Sequence, residues 1–183
     1  MSEDSDIRLL PYCTIDGIRT FKDSEILAIH DRIVSEGKEY IFKEGSISNR
    51  REFLKDMDHI GTALYVGYYQ GAMAFILWLN RFEGRMARLH WCVFDGVSLK
   101  KIVLAGREAV RQLVNMKDSA GNYVFDLLIG YTPASNDRAV KFVKFCGGIV
   151  AAIVPNLIWN GEKKESEPGV ISYYIREQPG VAQ

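Results

Sequence analysis

Residues 88–114 read Arg-Leu-His-Trp-Cys-Val-Phe-Asp-Gly-Val-Ser-Leu-Lys-Lys-Ile-Val-Leu-Ala-Gly-Arg-Glu-Ala-Val-Arg-Gln-Leu-Val. The run Leu89 to Phe94 is aromatic and β-branched, the composition of a buried strand. Asp95-Gly96 interrupts it as a turn. From Ser98 the apolar spacing turns helical, with Ile102, Gly106, Ala109 and Leu113 on one face and Val103, Val110 and Val114 beside them. A strand, a short turn and a helix N-terminus in that order form a potential anion site, because the first helical N–H groups lack intrahelical partners.

Upstream, residues 62–69 and 72–81 are two strand-like runs joined at Gln70-Gly71, and Glu83-Gly84 leads into the strand ending at Phe94. Three consecutive antiparallel strands over 62–94 are the simplest reading. Before them come a strand over 7–15, a helix capped at Asp23 or Ser24 and stopped at Gly37, and a shorter helix from Ser48 or Asn49. Downstream, 123–130 is a near-continuous apolar run ended by Pro133, followed by a helix capped at Ser135 or Asn136 and stopped by Gly147-Gly148. Residues 149–158 and 170–176 make a final strand pair around a charged loop. The expected architecture is α+β: a mixed β-sheet with helices on both faces, in a single domain over 1–183 with a short tail at each end.

The 183 residues and 48% apolar content supply a sizeable core. Lysine plus arginine equals aspartate plus glutamate at 23 each, which argues against a nucleic-acid partner held by counterion release and makes a homo-oligomer plausible. The cysteines at 13, 92 and 146 lack the short spacing of a metal knuckle or redox motif. They read as buried, reduced thiols, with no metal expected. The acidic N-terminus is no signal peptide and no apolar run would span a membrane, so the expected location is cytoplasmic, with no membrane partner.

This order of elements, with strand–turn–helix in the middle and Pro133-Ala-Ser-Asn136 opening the next helix, resembles the GNAT superfamily of acyl-CoA N-acyltransferases over about residues 7–176. The resemblance implies acetyl-CoA as acyl donor and a small-molecule or protein amine as acceptor. In the family, Arg/Gln-x-x-Gly-x-Gly/Ala at the helix start holds the pyrophosphate on backbone N–H groups. Set in that register, Ser98, Lys101 and Val103 stand at the family's Arg, first glycine and second small residue. Lys100 and Lys101 are either phosphate ligands or solvated lysines. The second family pattern, Asn-x-x-Ala-x-x-x-Tyr-x-x-x-Gly-Phe, is met at Asn136, Ala139 and Gly147, whereas Val143 replaces the Tyr that often protonates the leaving thiolate.

Acyl transfer to an amine requires deprotonation of the ammonium, polarisation of the thioester carbonyl and protonation of the departing thiolate. His90 is the candidate base, or else a packed strand histidine. The Val93 and Phe94 backbone is the candidate for carbonyl polarisation, and Asn136 either touches the CoA arm or simply caps its helix. His30 and His59 read as surface residues, and Tyr65, Tyr68, Tyr69, Trp78 and Trp91 as one aromatic cluster. The missing glycines, and the loss of a hydroxyl at Val143, imply a protein that kept the fold with impaired catalysis, used for binding or assembly. The chain also looks similar to folds of this superfamily in bacteriophage and prophage proteins. The alternative is an active acetyl-CoA-dependent N-acetyltransferase with an altered CoA loop.

Overall fold

A computed structural model describes residues 7–42, 47–161 and 163–176. The expected frayed start at residues 1–6 lies outside them. In chain order the elements are β1 (Ile7–Pro11), β2 (Thr14–Ile15), β3 (Ile18–Arg19), α1 (Asp23–Ser35), a 3-10 turn (Glu39–Phe42) and α2 (Arg50–Met57). There follow β4 (Thr62–Tyr69), β5 (Ala72–Glu83), β6 (Met86–Val93), α3 (Leu99–Val114), β7 (Leu127–Pro133), α4 (Asp137–Phe145), β8 (Ile149–Asn160) and β9 (Glu165–Ile175). Seven strands form one mixed sheet in the order β1-β4-β5-β6-β7-β9-β8.

Local chemistry sets the ends of these elements. Asn49 Oδ1 accepts from the Arg51 and Glu52 N–H groups at 3.0 and 3.1 Å, and Glu52 accepts from the Ser48 N–H, closing the start of α2. Glu25 does the same for α1 by accepting from the Lys22 N–H at 2.7 Å. The β4–β5 hairpin turns through Gln70 and Gly71, both at positive φ, as a two-residue turn matched to strand twist requires.

Alternation along the central strands divides the core into two layers. Leu64, Val66, Ile76, Trp78, Cys92 and Phe94 face α1 and α2, where Ile26, Ile29, Ile33, Phe53 and Met57 cover them. Tyr65, Phe75, Leu77, Leu79 and Leu89 face the other way, against Ile102, Ala105, Ala109 and Leu113 of α3. The aromatic residues expected as one cluster are therefore divided by the sheet: Trp78 and Tyr68 lie on one face, Tyr65, Tyr69 and Trp91 on the other. Gly67 is required here, since a Cβ at that position would lie 2.2 Å from the Phe75 ring.

Four expectations need correction. The first strand stops at Pro11, and residues 14–19 form a small separate hairpin turned at Asp16-Gly17. His30 is buried, ringed by Phe42 and Phe53, rather than on the surface. Strand β9 starts at Glu165, because residues 165–167 pair with Asn160, Trp159 and Ile158 of β8, with Glu165 and Ser166 exposed and Glu167 half-buried. Finally, β7 runs over Leu127–Pro133 rather than 123–130. The Ala134 N–H donates to the Pro168 carbonyl, so strand alternation turns the position of Pro133's missing N–H away from β9, toward a gap.

Candidate active site

That gap is the central feature of the sheet. β6 and β7 are parallel and pair only at Met86↔Leu127, Ala87↔Leu128 and Arg88↔Ile129. Beyond those pairs the strands continue to Val93 and Pro133 without pairing, so the sheet splits into a cleft. Register decides which backbone groups face it. The Phe94 N–H donates to the Ala74 carbonyl at 2.9 Å, and alternation gives Cys92 and His90 the same direction, toward β5. Trp91 and Val93 consequently turn their N–H and C=O groups toward the cleft, opposite those of Tyr131. The Val93 amide is available for a ligand; the Phe94 amide, expected to share that role, is already engaged.

A cavity of ≈ 220 Å³ occupies the cleft and is lined by side chains from both faces of the sheet. Its α1/α2 side is walled by Tyr40, Phe42, Trp78, Asn80, His90 and Tyr131, and its α4 side by Trp91, Asn136, Phe142, Val143, Ser172 and Tyr174. His90 stacks on Trp78 with centroids 4.8 Å apart, and its Nε2 lies 3.0 Å from Asn80 Oδ1. Since that oxygen only accepts, Nε2 carries the proton and Nδ1 keeps its lone pair. Burial, then the Arg88 and Arg81 charges, lowers the His90 pKa to about 3. The imidazole is neutral at working pH and holds a proton weakly.

The other predicted residues lie along the segment leaving the cleft. Ser98 is the N-cap of α3 yet makes no side-chain capping bond, and the first turn carries no acidic residue, unlike those of α1, α2 and α4. Lys100 is exposed in that turn. Lys101 places Nζ 5.0 Å from the centroid of the Tyr69 ring, off the helix axis. Asn136 caps α4, accepting from the Ala139 N–H at 3.1 Å, and also lines the cavity. The turn before α3 is held from behind: Glu36 accepts from the Asp95 N–H at 2.9 Å, and Arg32 donates to the Asp95 carbonyl at 2.9 Å while covering Phe94.

Trp91, Tyr131, Ser172 and Tyr174 were not singled out as site residues by sequence. Their roles follow from the split, and only a pairing map reveals it. Neither Cys92 nor Cys146 is poised as a nucleophile, because burial pushes both thiols up to about 12. Among the described residues no group of three or more His, Cys, Asp or Glu side chains gathers to hold a metal ion. No helix there is long and apolar enough to cross a membrane.

Neither a protein-family profile nor a curated protein sequence matches this chain. Solved structures do match. One is the acetyl transferase from Salmonella typhimurium that modifies the N-terminal serine of a 50S ribosomal subunit protein, with TM-score 0.69 and 11% identity, covering 96% of this chain and 98% of that one. Another is the spermidine N-acetyltransferase of Vibrio cholerae in complex with CoA and spermine, with TM-score 0.67, 12% identity and coverages of 93% and 95%. A microcin self-immunity acetyltransferase in complex with acetyl-CoA and AMP matches at TM-score 0.63 and 13% identity, with coverages of 95% and 94%.

Proposed function

The chain has the GNAT acetyltransferase fold, and we propose that it transfers an acetyl group from acetyl-CoA to a primary amine of a small molecule or protein. The observation that carries this reading is the cavity passing through the split between β6 and β7. A cavity lined from both faces suits an acyl thioester on one side and an amine on the other, bringing carbonyl carbon and nitrogen together in the sheet plane. The open Trp91, Val93 and Tyr131 backbone groups suit an extended ligand arm with alternating donors and acceptors.

In this reading the donor lies along the α4 side and toward the uncapped N-terminus of α3, where free N–H groups favour phosphate. Lys100 adds charge at that end, and Lys101 leaves the backbone uncovered by turning over Tyr69. The Val93 N–H polarises the carbonyl as negative charge develops on its oxygen. On the opposite face, His90 Nδ1 accepts an N–H of the incoming amine and directs the nitrogen lone pair toward the carbonyl. With a pKa near 3, His90 orients the amine, and the released proton passes to solvent rather than staying on the ring.

Thermal shift with acetyl-CoA and CoA tests the reading, since a ligand of the native state raises the melting temperature. Thiol release with a panel of amines follows. No shift with millimolar ligand would refute donor binding. A second reading, a binding or assembly module without turnover, draws on Val143, Lys101 and Val103 standing where the family keeps a Tyr and permissive residues. It predicts a shift with no thiol release, or no shift at all. A phage or prophage relation belongs to that second reading only.

A further inference from the structure

We infer that Tyr174 and Trp91 form a two-donor seat for the sulfur of the acyl donor, on the α4 side of the cleft. The inference rests on the acetyl-transfer reading above. Tyr174 comes from β9 and is only 3% exposed. Pairing opposite Leu128 puts it on the same face as Trp91. Its O–H reaches the Val143 carbonyl at 3.5 Å, the outer limit of a hydrogen bond. Nearby, Trp91 Nε1 is buried with no hydrogen-bond partner among the described residues. The indole leans edge-on against Phe142, with centroids 5.6 Å apart.

The Trp91 N–H is a buried donor left unmatched, and the Tyr174 O–H is matched only at the outer limit of a hydrogen bond, so both can take up an acceptor that completes the site. Both residues line the one cavity. The Tyr174 oxygen approaches the backbone of Val143, so a phenol from β9 brings a hydroxyl beside the helix turn whose own side chain has none. Burial raises the Tyr174 pKa and the Cys146 thiol adds to the rise, while the Trp91 indole N–H, outside hydrogen-bond geometry but close to the phenol oxygen, opposes it. Cys146 is itself pushed up to about 12 and stays neutral.

The step balances simply. The amine nitrogen forms a bond to the carbonyl carbon, the C–S bond breaks, and its electron pair stays on sulfur. Tyr174 and Trp91 donate hydrogen bonds to that thiolate. The phenol keeps its proton, because its raised pKa lies above that of an ordinary thiol. The thiolate leaves as such or takes a proton from water, and the amine's proton goes to solvent.

The test compares CoA with desulfo-CoA by calorimetry between about pH 6 and 9, which spans thiol ionisation. The wild-type protein is expected to favour CoA increasingly as pH rises, with the thiolate absorbance of bound CoA appearing at lower pH than for free CoA. Tyr174→Phe should lose about tenfold or more of that preference, as expected for a hydrogen bond to a charged acceptor. Its kcat should fall at a nearly unchanged KM for acetyl-CoA, with Trp91→Phe moving the same way. Equal binding of both ligands by wild type at every pH would overturn the seat while leaving donor binding intact. So would a Tyr174→Phe protein with wild-type CoA preference and kcat. If neither ligand binds wild type, this inference and the acetyl-transfer reading fall together. The wild-type comparison decides the matter even if a variant fails to fold.

Discussion

Replacing Glu36 with Gln tests how the turn ahead of α3 is held in place. Glu36 follows α1 and lies almost out of solvent. Its carboxylate takes hydrogen bonds from Arg32 Nε at 2.7 Å, from the Asp95 N–H at 2.9 Å and from Lys38 Nζ. Lys38 also donates to Asp95 Oδ1 at 2.9 Å. Burial alone would raise the carboxyl, but the bonds from Lys38, Arg32 and the Asp95 amide outweigh it and lower the pKa from 4.5 to about 2. At 1.36 kcal/mol per pH unit the ceiling is about 3 kcal/mol. Solvent around the open side of Asp95 and Arg32 brings the expected loss to about 1–2 kcal/mol, or about 3–6 °C in Tm for a chain of this size. The sign follows from linkage. The stabilisation is complete above the unfolded pKa near 4.5 and is lost as pH falls through the folded value near 2. Melting of wild type and Glu36→Gln across pH 7 to 3 should show a gap that is full at pH 7 and narrows below about pH 4.5. A gap that is absent at pH 7, or constant down to pH 3, would refute the anchoring role.

Gly67→Ala should destabilise by about 1–3 kcal/mol, read by denaturant melting, because the new methyl meets the Phe75 ring 2.2 Å away on the paired strand. His90→Gln should flatten the acid limb of stability. His90 is neutral when folded down to about pH 3 but protonates near 6.5 when unfolded, so wild type loses stability as pH drops through that window, and an equally steep limb in the variant would count against this. Asn136→Ala should cost about 1 kcal/mol through the lost α4 cap, and weaken acetyl-CoA in thermal shift only if the side chain also touches the ligand. Alkylation of native protein should modify Cys13 well before Cys92 and Cys146, whose thiols are buried and pushed to about 12; equal rates at all three would contradict the burial.

Much of the fold was readable from pattern because pattern there reports local physics. The hairpin at Gln70-Gly71, the cap at Asn49 and the alternation across residues 62–94 each depend on neighbours in sequence. Pro133 misled for the same reason. A proline ordinarily ends a central strand, and only the departure of β6 makes its missing N–H harmless. The site residues divide likewise. His90 and Asn136 were visible as residue types at suggestive places, and both line the cavity. Which amide of Val93 and Phe94 stays open depends on strand register, which a single strand's sequence does not carry. Tyr174 and Trp91 meet through two elements far apart in the chain, so no spacing rule could have joined them.

The three-rung junction between β6 and β7 also bears on how the molecule assembles. Strands β4, β5 and β6 follow one another through tight turns, and β8 and β9 form a hairpin of their own, so each block can pair with short loops to close. The junction closes only after all of α3 and the loop behind it have been laid down, and few rungs reward that long closure. The seam is thus the costliest contact to make and the cheapest to lose, and amide exchange should find it opening first among the central strands.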